Sequence, residues 1–118
     1  MNYKLNLFPI LRNLKFSPKH LGYIYLQSCV IYAYENKIYL KSLSKYVYPA
    51  IAKQFNSTPK SIEKAISNAI QKAFVRGGLN LGEDEACPTN KEVISYIVNQ
   101  LTEQSYKSNV LNVANFYN

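Results

Sequence analysis

Side chains able to do covalent or metal chemistry are scarce in this 118-residue chain. His20 is its only histidine and Asp84 its only aspartate. A Ser-His-Asp relay needs both side by side, and a zinc site needs three or four clustered ligands. Cys29 and Cys87 form no CxxC pair and have no histidine near them in sequence. The first reads as a buried thiol and the second as a loop thiol. No glycine-rich phosphate loop occurs. The expectation is no catalytic residue, no metal and no cofactor, so the chain is not read as an enzyme.

The chemistry on offer is hydrogen bonding along one helical face. Lys60, Ser61, Lys64, Ser67, Asn68 and Gln71 recur on one side of a segment beginning at Thr58. Ile62, Ala65, Ile66, Ala69, Ile70, Ala73 and Phe74 recur on the other at i, i+3, i+4 spacing. Glu63 is the only acid in the segment. Lysine ammoniums at 60 and 64 suit phosphate or guanine, and the amides at 68 and 71 can pair with adenine edges in bidentate fashion. Such a face, with its N-terminus toward the ligand, could read the major groove of duplex DNA. The candidate base-reading set is Lys60, Ser61, Glu63, Lys64, Ser67, Asn68 and Gln71, and the candidate phosphate contacts are Thr58, Lys72 and Arg76. The same pattern also suits an ordinary solvated face.

The elements that must position this face read as helices throughout. Leu7 to Leu14 suggests a short helix. Ser17-Pro18 offers a cap and a first-turn proline, and Leu21, Ile24, Tyr25, Ser28, Cys29 and Tyr32 then recur at helical spacing. A helix over 18–35 follows, with 37–40 as connector. A helix over 42–55 should bury Leu43, Val47, Ala50, Ile51 and Phe55, with Pro49 bending it from inside. Asn56 tolerates the left-handed conformation that ends a helix. Thr58 caps the next, Pro59 opens it, and Arg76-Gly77-Gly78 closes it. Residues 82–88 form an acidic loop. Thr89-Asn90-Lys91-Glu92 is a capping box ahead of Ile94, Ile97, Val98 and Leu101. A last short helix is expected over 108–117. The fold class is all-α, about six helices with a central helix-turn-helix. Residues 1–104 read as one helical DNA-binding domain and 105–118 as a tail or short helix.

Charge supports an anionic partner. Residues 1–78 hold twelve lysines and arginines against Glu35 and Glu63, while residues 79–118 hold Lys91 and Lys107 against five acids. A basic body of this kind suits nucleic acid. The longest apolar stretch, Leu21 to Tyr34, contains Gln27 and Ser28 and falls short of the ~20 residues of a membrane span. No signal peptide is apparent at the N-terminus, so a cytoplasmic location without membrane partner is expected.

Several runs resemble one family. They are Gly22-Tyr23-Ile24-Tyr25-Leu26, Tyr48-Pro49-Ala50-Ile51-Ala52-Lys53, Phe55-Asn56-Ser57-Thr58-Pro59, Ile62-Glu63-Lys64-Ala65-Ile66, Ala69-Ile70, Ala73-Phe74-Val75-Arg76-Gly77 and Pro88-Thr89-Asn90-Lys91-Glu92-Val93-Ile94. From about Leu7 to Leu101 the chain is similar to the C-terminal effector domain of the stage-zero sporulation response regulator of endospore-forming Firmicutes. The resemblance implies a six-helix DNA-binding domain controlling transcription, binding DNA as tandem dimers and touching RNA polymerase. Where the family carries arginines and a histidine on the recognition face, this chain has Ser61, Lys64, Ser67 and Asn68, while Glu63 is retained. Its DNA box is therefore expected to differ, because an arginine fork pairs with guanine in a way lysine and serine do not reproduce. A receiver domain needs clustered aspartates and the chain has Asp84 alone. The expectation is a stand-alone homologue without a phosphoacceptor domain.

Two functions remain in view at this point. The first is a sequence-specific transcriptional regulator, homodimeric on double-stranded DNA. The second is a protein-interaction modulator of a full-length regulator or of RNA polymerase, with weakened DNA reading.

Overall fold

The computed structural model describes residues 3–81 and 86–117. The acidic loop expected at 82–88 thus lies mostly outside the described residues. Among those described, every regular element is helical. Five α-helices occur: α1 (Tyr3–Asn13), α2 (Leu21–Glu35), α3 (Tyr48–Gln54), α4 (Pro59–Val75) and α5 (Asn90–Tyr117). A 3-10 helix (Lys37–Lys41) and a π-helical turn (Leu43–Val47) join α2 to α3. The all-α expectation stands, with five α-helices in place of about six.

The boundaries differ from the expected ones at three places, the last of which accounts for the count. The helix expected over 42–55 is split. Ser42 caps the π turn, its Oγ accepting from the Lys45 N–H at 3.3 Å, and α3 begins only at Tyr48. Pro49 consequently lies in the first turn of α3 rather than inside a longer helix. There its missing N–H costs no intrahelical bond. The expected bend is replaced by a change of helical pitch ahead of the ring. Second, the start expected at Pro18 moves to Leu21. Residues 17–20 close a turn instead, with the His20 N–H donating to the Ser17 carbonyl at 3.3 Å. Third, α5 runs unbroken to Tyr117, so the short helix expected over 108–117 is its continuation. No glycine or proline follows Pro88 in the sequence to stop it.

Other boundaries fall where the residue types require. Asn56 and Gly77 take φ of 52° and 84° as they leave α3 and α4. The capping box at α5 is reciprocal: the Glu92 N–H donates to Thr89 Oγ1 at 3.1 Å and the Thr89 N–H to Glu92 Oε1 at 3.2 Å.

α2 is the central element, packed against both α4 and α5, while α1 lies on α5 and α3 on α4. Leu7 and Leu11 from α1, Leu26 and Val30 from α2, Ile62, Ile66 and Ile70 from α4, and Ile94, Ile97 and Leu101 from α5 make the core. The face expected for α2 needs correction. Gly22, Tyr23, Tyr25, Leu26, Cys29, Val30 and Ala33 are buried, but Leu21 and Ile24 are exposed. The helix is apolar nearly all round, so its period cannot single out one stripe. Phe55, expected in the core, is partly exposed and lies edge-on to Tyr25 with ring centroids 5.1 Å apart.

Candidate nucleic-acid interface

α4 is held by its two ends and its inner face. At the start, Thr58 Oγ1 accepts from the Ser61 N–H at 3.1 Å and its hydroxyl donates to Ser61 Oγ at 2.9 Å. This satisfies one of the open N–H groups of the first turn. Along the inner face Ile62, Ile66, Ala69, Ile70 and Ala73 are buried, as their spacing predicts. α3 and α2 both pack against α4.

The outer face is the one the sequence picked out. Lys60, Ser61, Glu63, Lys64, Asn68, Gln71 and Lys72 are exposed. Thr58 and Arg76 are exposed at its ends. Lys60, Lys64, Asn68, Gln71 and Lys72 make no side-chain hydrogen bond or ion pair among the described residues, so their donors and acceptors are available to a ligand. Asn68, Gln71, Lys72, Val75 and Arg76 border a shallow depression of about 440 Å³.

Besides Thr58 and Ser61, which bond to each other, two of the candidate residues are engaged with other elements. Ser67 is half-buried, and its hydroxyl donates to Asn90 Oδ1 at 3.0 Å. Arg76 Nη1 donates to the Lys15 carbonyl at 3.2 Å, and Nη2 lies 3.4 Å from His20 Nε2. Its guanidinium thereby clamps the α1–α2 loop to the end of α4. Desolvation, then the charges of Lys72, Arg76 and Lys19, hold the His20 imidazole below its ordinary pKa.

Asn90 is the residue sequence reasoning undervalued. Its place in the capping box is plain from the sequence, but in the fold it ties three elements together. Its Nδ2 donates to the Tyr48 hydroxyl and to the Glu63 carbonyl, both at 3.1 Å, while its Oδ1 accepts from the Ser67 hydroxyl. Burial pushes the Tyr48 phenol up to about 12, against the opposing effect of the Asn90 hydrogen bond. The network forms the floor of a cleft of about 570 Å³ between Ser42–Ser44, α4 and the start of α5. A polar residue just inside a helix N-terminus, facing a buried tyrosine in another element, is invisible to any periodicity.

Among the described residues no helix is long and apolar enough to cross a membrane, and no group of metal-ligating side chains gathers. Residues 7–101 match the family model described as the C-terminal domain of the sporulation initiation factor Spo0A. The chain belongs to that family. The match covers the span that the sequence motifs pointed to, from the first core leucine of α1 to Leu101 of α5. Members are DNA-binding effector domains of a sporulation transcription regulator, and the family is not one of enzymes. The exposed amide-and-lysine face of α4 is thus a candidate DNA interface within a DNA-binding domain.

Proposed function

We propose that the chain is a sequence-specific transcriptional regulator in which α3, the turn 55–58 and α4 act as a helix-turn-helix. α3 spans the DNA backbone and α4 enters the major groove with its N-terminal half leading. Lys64, Asn68 and Gln71 are assigned to base edges, with Ser61 and Glu63 beside them. Lys60, Lys72 and the first turn at Thr58 are assigned to phosphates. Ser67 and Arg76 belong to this surface through packing: they hold α5 and the α1–α2 loop against α4. The observation that carries the reading is the run of exposed, unengaged donors and acceptors at 60, 64, 68, 71 and 72 opposite a fully buried isoleucine stripe.

Duplex DNA is the partner, bound as a homodimer, with RNA polymerase as the target of its regulatory effect. The activity places the protein in the cytoplasm with the chromosome. No catalytic group or cofactor takes part.

Selecting binding sites from a random duplex pool tests this directly. A defined box should emerge. Lys64→Ala with Gln71→Ala should then weaken binding to that box more than to random duplex, by about 1–3 kcal/mol per lost bidentate contact. Equal loss on both would assign these residues to phosphate alone. A pool that never enriches, together with capture of a full-length regulator or polymerase, would favour the protein-interaction reading.

A further inference from the structure

Beyond α4 lies a second cationic surface, built on aromatic rings. Lys37, Lys41 and Lys45 recur every four residues through the 3-10 helix and the π turn, interleaved with Tyr39 and Tyr46. The rings of Tyr32, Tyr39 and Tyr46 form a continuous stack. Tyr39 lies 5.7 Å from Tyr32 and 5.1 Å from Tyr46, the second pair nearly parallel at 11°. The ammoniums of Lys41 and Lys45 both sit over the Tyr46 ring, 5.4 and 5.3 Å from its centroid. Lys37 sits over Tyr34 at 5.0 Å. Among the described residues no carboxylate pairs with Lys41 or Lys45.

This arrangement selects among partners. Tyr39 already stacks with two rings, and Tyr46 carries one ring and two ammoniums, so little ring face is left for an unpaired base to stack on. What the surface offers is positive charge held in place. A free lysine must give up rotamer freedom when it meets an anion. One attracted to a ring face has given up part of it beforehand, so more of the contact appears as affinity. Two like charges over one ring, with no counter-charge, also concentrate positive potential.

Position points to the anion. Lys41 and Lys45 flank Ser42, Leu43 and Ser44, which line the same cleft as Glu63, Ser67 and Gln71 of α4. The segment between the two lysines therefore faces α4 across this cleft.

We propose that Lys41 and Lys45, pre-ordered on the Tyr32–Tyr39–Tyr46 stack, grip the sugar-phosphate backbone of duplex DNA beside the segment held by α4. The proposal rests on the α4 reading above. It assigns to the π turn a task of anchoring and to the tyrosines a task of positioning, neither of which touches a base.

Affinity measured against salt on the selected box and on random duplex tests it. Each phosphate contact removed lowers the slope of log affinity against log salt by about 0.9. Lys41→Ala with Lys45→Ala should therefore flatten the slope by about two and weaken both duplexes by the same factor. Tyr46→Leu should weaken both duplexes in the same way, while Tyr46→Phe, which keeps the ring, should not. Thermal melting of each variant separates loss of fold from loss of grip. If the wild-type protein binds its box and the lysine pair leaves the slope unchanged, this proposal falls and the α4 reading stands. It falls in the same way if the pair abolishes only the capture of an acidic protein. If the wild-type protein ignores duplex DNA at low salt, the α4 reading falls and takes this one with it.

Discussion

Helices α2 and α4 pack directly on one another and carry opposite kinds of information. At their crossing, a Cβ on Gly22 would collide with the Ala65 carbonyl and come within 2.9 Å of the Ala69 side chain. Around that contact α2 is apolar on nearly every side, because α4 covers one flank and α5 another. α4 is covered only on its inner side, and its outer side holds lysines and amides. The first helix is mostly scaffold, with Leu21 and Ile24 left exposed. The second is half scaffold and half surface, and the DNA-reading role proposed above is assigned to its surface half. Substitutions should therefore separate cleanly, with stability lost at the crossing and binding lost on the outer face.

Gly22→Val should give the largest effect. Its side chain would be driven into backbone rather than into a movable side-chain end, and the helices must part to admit it. Overpacking of this kind costs about 3 kcal/mol or more, a large share of a small domain's stability. Thermal or urea unfolding monitored by circular dichroism should show it. Lys64→Ala, only two positions from Ile66 but on the exposed side, should stay within about 0.5 kcal/mol of the parent in the same experiment. A large loss at Lys64 would mean that the outer face is structural, and the division between the helices would fail.

What could be read beforehand follows the same division. α4 was legible because three independent signals agree: a Thr58-Pro59 start, an isoleucine and alanine stripe, and a glycine exit at Gly77. The α5 capping box was legible for the same reason. α2 was legible as a helix but not in orientation, since an apolar surface on all sides gives no phase; Leu21 and Ile24 look like core residues and are exposed. The π turn was hidden because a run such as Leu43 to Val47 has helical composition whatever its pitch, and only the backbone shows that Pro49 lies in the first turn of a new helix. Of the candidate site, the exposed members were legible from periodicity. The members engaged with other elements were not. Ser67 and Arg76 find partners in Asn90, Lys15 and His20, which come from 23, 61 and 56 positions away along the chain.

Asn90→Ala sharpens the comparison at the border between scaffold and surface. It strips partners from the Ser67 hydroxyl and from the buried Tyr48 hydroxyl. A buried hydroxyl left unpaired costs about 1–3 kcal/mol. Duplex affinity per folded molecule should change little if Ser67 serves packing alone. An alkaline titration reports on the same interior. Burial pushes Cys29 and Tyr48 each up to about 12, from ordinary values of 9.0 and 10.0. The unfolded chain therefore releases these protons first, and stability falls as pH rises between those limits. Well below pH 9 both groups are neutral in either state and should contribute no slope. A flat unfolding profile from pH 9 to 12 would contradict the buried placement of both.

Of the scaffold substitutions, Thr58→Ala should have the smallest effect on stability and the most informative effect on binding. The substitution removes the acceptor for the Ser61 N–H and the donor to Ser61 Oγ, at a cost of about 1 kcal/mol. The hydrophobic stripe from Ile62 onward still holds the rest of α4, so only the first turn, with Lys60 and Ser61, should loosen. A helix that presents its N-terminal half to the groove would feel this at once. Affinity for the selected box should fall by more than the stability change explains, because the first turn must be re-ordered on binding. A helix that binds through its C-terminal half, near Lys72, would lose stability alone. Circular dichroism melting and duplex titration on the same preparation separate these outcomes, and so decide which end of α4 faces the DNA.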